Sequence, residues 1–410
     1  MLETKKLLRI GFDLSLLSFA PILSWFLLGI IVDKNLINIF TLTYPLQFIS
    51  YIIKSVFSTG ANISQEKDKD ENAVMSGLLL GTVISFFIFA LILFNIDNYI
   101  SFMNMDVKIY KTFAIYSVLQ LFISLEFTMI QDKLYYEEKN KLANIYSILF
   151  NLLNFVLLIG TSLITKQQSI IITVTLLPLF IFTLYIYLKN SNKFKFEINI
   201  LNWIKYNSVE LFNNIAFFII YMFGLSNALE YGEIYGNALT FVSLITDTQW
   251  DTAEAITIAS NIDISKSNFN YKTSRNNAYK LLLLLVGTSV IMFLLLFSFY
   301  DLNLKIALIY FSFELINFCM FPIYKIKTCY LQLEYSSLKT TSNKIISSIL
   351  RMSVSLLKTP YCTGFGQICS SIYQFVTINV MFHNNFKVRK NGLIIKFKNT
   401  KGINNKCSKA

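Results

Sequence analysis

A chain of 410 residues that is 54% hydrophobic and 15% charged, with a mean hydropathy of +0.53, lies outside the range of soluble globular domains and belongs in a membrane. Its formal charge of +12 comes with no nucleic-acid-binding motif and no phosphate-binding loop, which excludes nucleic acid as a partner and ATP as a direct fuel. The five cysteines form no CxxC pair and no metal-ligand spacing, which excludes a cysteine-based metal centre.

Apolar runs of about 18 residues or more, the length that crosses a bilayer, recur in twelve windows. They are 8–32, 36–60, 73–97, 107–132, 142–165, 168–189, 203–228, 233–260, 278–300, 303–328, 342–359 and 364–385. The first follows a short basic prefix and lacks a small-residue cleavage pattern, so it reads as a helix rather than a removable signal. Asp13 lies near its start, where a carboxylate serves either the headgroup boundary or an internal cavity. The second window carries Gln47 and Lys54; a lysine at this depth either snorkels to the near surface or is paired inside. Glu126 interrupts the fourth window, and Asn151 and Asn154 in the fifth have the spacing of interhelical hydrogen-bonding residues.

The least apolar connection, KNSNKFKFEINILNWIK (189–205), reads as a linker, centred on 191–202, between a lobe at 1–190 and a second at 203–386. After it the pattern restarts. A shift of 197 residues superposes Asp13 on Glu210, Asp33 on Glu230 and Lys54 on Asp251, and a shift of 203 pairs 77–94 with 280–297. The expected fold is an all-α polytopic membrane protein of about twelve transmembrane helices in two six-helix lobes. Because each repeat has an even number of spans, the copies are related by a pseudo-two-fold axis along the membrane normal, with binding sites at their interface. This symmetry predicts that Lys54 and Asp251 face one central cavity and pair there.

The strongest functional signal is FVSLITDTQWDTAEAITIAS (241–260), which sets Asp247, Asp251 and Glu254 in an apolar segment. On a helix these three share one face, with Thr240 and Ser243 extending the stripe. A carboxylate near mid-bilayer costs at least ~2.5–3.5 kcal/mol, so the face must look into water, a partner or a bound cation. The competing reading is a shallow or broken segment whose acids solvate a helix end.

Basic residues set the orientation. Of the 36 lysines and arginines, 28 fall on the side of the amino terminus, six fall on the other, and Lys54 and Arg351 lie within spans. That bias places both termini in the cytoplasm of a multi-pass protein of the cell membrane. The larger group includes Lys325 and Lys344, counted in the tenth connection, and the basic tail 387–410, which suits an anionic leaflet.

With these segments in place, the chain resembles the multidrug and toxic compound extrusion (MATE) family of the flippase-like (MOP) superfamily over about 1–386. Tyr44-Pro45-Leu46-Gln47 and Gly60-Ala61-Asn62 look like that family's second helix, and Asn151-Leu152-Leu153-Asn154 like the start of its fifth. Thr246 to Ala255 falls where the eighth helix has small residues and a glutamine, a place Gln249 could take. The family's early proline is replaced by Asp13, its later first-helix aspartate has no counterpart, and a turn glycine is Glu138.

The resemblance implies a monomeric secondary active exporter of amphipathic compounds, cations among them, by alternating access coupled to Na⁺ or H⁺ with no other cofactor. Asp247, Asp251, Glu254, Lys54, Glu210, Asp13, Gln47 and Gln249 are the candidate binding residues, with Asp247, Asp251 and Glu254 the candidate Na⁺ ligands. A flippase for a lipid-linked saccharide would call for a more cationic cavity. A membrane-embedded enzyme would need a base and an orienting partner, for which the chain offers only His383 beside Asn384 and Asn385.

Overall fold

The computed structural model describes residues 4–32, 38–103, 106–191, 194–266, 269–297 and 302–403. Each apolar window is occupied by a long helix. The first half comprises α1 (Thr4–Ile31), α2 (Asn38–Lys54) continuing through a π turn (Ser55–Gly60) into α3 (Ala61–Asp68), α4 (Ala73–Phe94), the short α5 (Ile96–Phe102), α6 (Val107–Tyr136), α7 (Asn140–Ile164) and α8 (Gln168–Asn190). The second comprises α9 (Ile200–Glu230), α10 (Glu233–Ser265), α11 (Tyr271–Phe297), α12 (Leu304–Glu334), α13 (Ser337–Ser355) and α14 (Cys362–Ile403). The described residues contain no strand.

Six of the described helices, α4, α6, α7, α8, α11 and α12, are by themselves long and apolar enough to cross a membrane. Their outer faces leave large apolar side chains such as Phe86, Leu91, Leu177 and Leu283 exposed, which suits lipid rather than water. The duplication also shows in the packing. α1 lies against α10 and α2 lies against α9, contacts that exchange when the two halves are swapped. α10 is one uninterrupted helix through its three acids, so the broken-segment reading of 241–260 does not describe it.

The connection between halves is shorter than 191–202. Helix α9 already begins at Ile200, and Trp203 is fully buried. Residues 194–199 are pinned to the α3–α4 turn, where the Lys195 amide donates to Asn72 Oδ1 at 3.0 Å and the Glu197 amide to Ser76 Oγ at 3.0 Å. Asp33 and residues 404–410 of the basic tail lie outside the described residues, as do the side chains of 385–403.

Candidate functional site: the cavity between the lobes

The lobes meet firmly at the face that carries the start of α1. Three ion pairs cross between them there: Lys6 with Asp263 at 3.2 Å, Lys67 with Glu334 at 2.7 Å, and Lys266 with Glu138 at 3.2 Å. Tyr206 adds a hydrogen bond to Asp68 at 2.5 Å. Deeper in, Gly60 permits the closest approach. A Cβ there would sit 2.4 Å from the Trp203 carbonyl oxygen, so only glycine lets the π turn abut α9. Beside it α9 departs from helical geometry at Asn207, whose amide donates to the Ser55 carbonyl at 2.9 Å. The two irregularities thus meet across the lobes.

Above this closure lies a cavity of roughly 310 Å³ lined by both lobes. Asp247, Asp251 and Glu254 all line it, and the polar stripe of α10 continues through Thr257 and Asn261. Gln47, Lys54 and Glu210 line it as well. Asp247 Oδ2 is buried with no hydrogen-bond partner, Asp251 accepts from the Tyr51 hydroxyl at 3.0 Å, and Glu254 accepts from Thr257 at 3.3 Å. Among the described residues no three acids, cysteines or histidines converge closely enough to hold a metal ion. The α10 carboxylates follow one another up a wall, at the one-turn spacing of their helix, instead of meeting at a point.

The expected pairing of Lys54 with Asp251 is replaced by another. Lys54 forms its ion pair within its own lobe, with Asp132 of α6 at 3.2 Å. Ser58 and Thr59 of the π turn also donate to Asp132, at 3.2 and 2.9 Å, which fixes that carboxylate next to the lysine. Glu210 is likewise taken within its lobe, by Lys325 of α12 at 2.5 Å. Two other sequence candidates lie off the cavity. Asp13 is fully buried inside the first lobe, accepting from Tyr135 at 2.7 Å and Asn144 at 2.6 Å. Gln249 turns toward α11, where its Oε1 accepts from Thr288 at 3.1 Å. Glu126 bonds Thr82 and Ser85 between α4 and α6, and His383 is exposed and away from the cavity lining.

Three basic residues of the second lobe reach the cavity: Lys325, Lys344 and Arg351. Sequence reasoning placed the two lysines in a connection because they fall at the edges of apolar windows. The signal that could have found them is the helical register of α13, in which Lys344, Ser347 and Arg351 recur at intervals of three and four residues. The rest of the lining is mostly neutral polar, with a group of aromatic side chains among it. Phe48 stacks on Phe217 and Tyr221 at 5.4 and 5.3 Å, and Trp250 stacks on Phe318 at 4.3 Å.

The fold matches that of solved transporters. An outward-facing multidrug resistance MATE family transporter of the MOP superfamily superposes with a TM-score of 0.71 at 15% identity, covering 94% of this chain and 97% of that one. A MOP superfamily transporter from Pyrococcus furiosus, described as having a binding pocket of reverse polarity, gives 0.70 at 16% identity, covering 93% and 96%. The fold is that of the MATE transporters. A MATE protein in complex with MaD5 gives 0.65 at 14% identity over 94% of this chain and 97% of that one. No family model and no curated protein matches the sequence. The MATE fold therefore comes from shape and helix order, at an identity where side chains of the site have to be read from this chain alone.

Proposed function

We propose that the protein is a secondary active exporter that moves amphipathic compounds out of the cell in exchange for Na⁺ or H⁺, by alternating access of its two lobes. The observation that carries this reading is the α10 wall, where Asp247 presents a buried carboxylate oxygen without a partner to a cavity shared by both lobes. Such a group holds a proton or a cation, because a buried carboxylate oxygen left without a partner is costly. A cationic substrate competes for the same wall, and the competition couples the two movements without covalent chemistry. With the termini in the cytoplasm, the face closed by the ion pairs between the lobes is the cytoplasmic one.

The test is efflux of a fluorescent amphipathic cation from proteoliposomes, with Na⁺ and pH gradients imposed separately. Dependence on at least one gradient is expected, and wild-type coupling in Asp247→Asn, Asp251→Asn and Glu254→Gln alike would show that these acids are structural. A second reading, a flippase for a lipid-linked saccharide, is favoured by Lys344 and Arg351 on the opposite side of the charge balance. It predicts that a short-chain lipid-linked saccharide crosses the same bilayer without an ion gradient.

A further inference from the structure

The cavity holds more cations than its ion pairs use. Lys54 and Lys325 are neutralised by Asp132 and Glu210, which leaves Lys344 and Arg351 on α13. No carboxylate lies in ion-pair range of either among the described residues. The charged groups around Lys344 are Glu210, already held by Lys325, then Lys325 itself and Arg351. Arg351 makes one long contact, from a terminal nitrogen to Gln367 Oε1 at 3.5 Å, and its Nε is buried with no partner. Its guanidinium lies over the Phe217 ring at 4.4 Å, which orients the planar donor fork on the cavity wall. Glu314 does not take it. Gln367 stands between them, donating to Glu314 Oε2 at 2.9 Å, and Trp250 Nε1 holds the same oxygen at 2.7 Å.

An arginine retained for packing alone would have its buried donors satisfied, and a second unpaired cation beside it raises the cost of burying both. What lowers that cost is an anion. Ser370 and Gln374 supply neutral polar groups on the same wall, so an anionic group there meets donors rather than lipid-like surface.

We infer that the α13 wall is an anion-binding subsite built by Lys344 and Arg351, and that the transported compound is a zwitterionic amphiphile carrying a carboxylate or phosphate group as well as a cation. This rests on the transport reading above for the word transported, but the subsite itself is a matter of equilibrium binding. The cation addresses the α10 acids, the anion addresses α13, and the aromatic side chains of the lining, Phe48, Phe217, Tyr221 and Trp250 among them, take the apolar body. Each pole alone leaves the other unpaired, so the ligand with both groups is the one that neutralises the cavity.

The experiment uses the full chain in phosphatidylcholine nanodiscs and calorimetric titration with three probes built on one phenylbutyl body: 4-phenylbutylamine, 4-phenylbutyrate and 4-(4-aminobutyl)benzoate. The last should bind at least about tenfold tighter than either single-charge probe. Lys344→Gln and Arg351→Gln should each weaken 4-phenylbutyrate about tenfold to a hundredfold, the worth of one hydrogen bond to a charged group, and leave 4-phenylbutylamine within about twofold. Retained amine binding shows that the variants are folded. If either glutamine variant loses the amine too, Lys344→Arg and Arg351→Lys take its place, and failure of these charge-keeping variants to retain butyrate binding overturns the subsite.

Unchanged butyrate affinity in folded glutamine variants also overturns it. Inorganic phosphate should compete only weakly; equal competition would make the ligand a free anion and overturn the substrate class. Replacing part of the phosphatidylcholine with phosphatidylglycerol should leave the titrations unchanged, and a fall in butyrate affinity would assign the site to lipid headgroups instead. No ion gradient enters these measurements. Loss of ion coupling in liposomes therefore defeats the exporter reading while the subsite stands, and loss of butyrate binding does the reverse.

Discussion

The sealed face and the cavity wall handle charge in opposite ways. At the face, opposite charges from the two lobes meet in pairs: Lys6 with Asp263, Lys67 with Glu334, Lys266 with Glu138. In the cavity the ion pairs stay within a lobe, Lys54 with Asp132 and Lys325 with Glu210, and among the described residues Asp247 and Glu254 of α10 and Lys344 and Arg351 of α13, all of the second lobe, make no ion pair with the first. The first pattern is a latch. Each of its pairs has a partly exposed member and is worth about 0–1 kcal/mol, so no single pair locks the lobes. The second pattern is a binding surface, where pairing across the lobes would lock the protein shut and leave nothing for a ligand. The way to break this contrast is to remove charges from each region and see which property fails.

The largest effects belong to the cavity. Asp247→Asn and Glu254→Gln should abolish gradient-driven efflux while leaving folding intact, because a neutral amide of the same shape keeps the packing and loses the exchangeable charge. Proteoliposome efflux measures this, and Asp13→Asn, which changes a carboxylate bonded inside the first lobe, should be milder. Next comes Lys325→Gln, which leaves Glu210 buried without its cation and should cost roughly 3–5 kcal/mol of stability in denaturant unfolding. The double variant Glu210→Leu with Lys325→Met should recover most of that loss. If the single and double variants are equally unstable, the pair is not what sets the cost.

How much of this was legible in advance follows from where each residue falls in the hydropathy pattern. The twelve windows, the repeat and the α10 stripe were legible because they are periodic over whole helices. Lys344 and Lys325 were not, since at a window edge a cavity lysine and a loop lysine have the same neighbours in sequence. Asp132 was missed for the same reason, sitting at the end of the fourth window between Gln131 and Lys133. The choice of Asp132 over Asp251 by Lys54 depends on the π turn at 55–60, which aims Ser58 and Thr59 at α6 and has no composition signal of its own. Symmetry put Lys54 and Asp251 on one cavity. Local packing decided the pairing.

A middle-sized effect tests the closure itself. In Gly60→Val the new side chain meets the Trp203 backbone, with even its first carbon at 2.4 Å from the carbonyl oxygen, so α9 and the π turn must separate. Overpacking of this kind costs about 1–3 kcal/mol, and here the cost falls on the sealed state alone. A thiol placed at Asn261 on the cavity wall should then react faster with a polar reagent added from the sealed face. If its reactivity is unchanged, the approach at Gly60 does not form the barrier.

The smallest expected effect lies at Glu138, where two contributions oppose each other. Its φ of 61° is in the left-handed region that favours glycine, the residue the family resemblance expects at this turn. Glu138→Gly relieves that strain, about 1 kcal/mol, and removes an exposed pair with Lys266 worth about 0–1 kcal/mol, so stability should hardly change. The latch should nevertheless loosen, because the relief acts in both states and the pair acts only in the closed one. Hydrogen bonding and proximity to Lys266 hold the Glu138 carboxyl below its ordinary value of 4.5. A depressed carboxylate contributes to closure above that ordinary value and loses the contribution as pH falls through the lowered one. Accessibility of the Asn261 thiol, read with a reagent whose own rate does not depend on pH, should therefore be flat from neutrality down to about pH 5 and rise only below it. In Glu138→Gly the neutral-pH accessibility should be modestly higher and this acid rise smaller. An identical acid rise in both proteins would place the pH sensitivity in another of the crossing pairs, Lys6 with Asp263 or Lys67 with Glu334, and remove Glu138 from the latch.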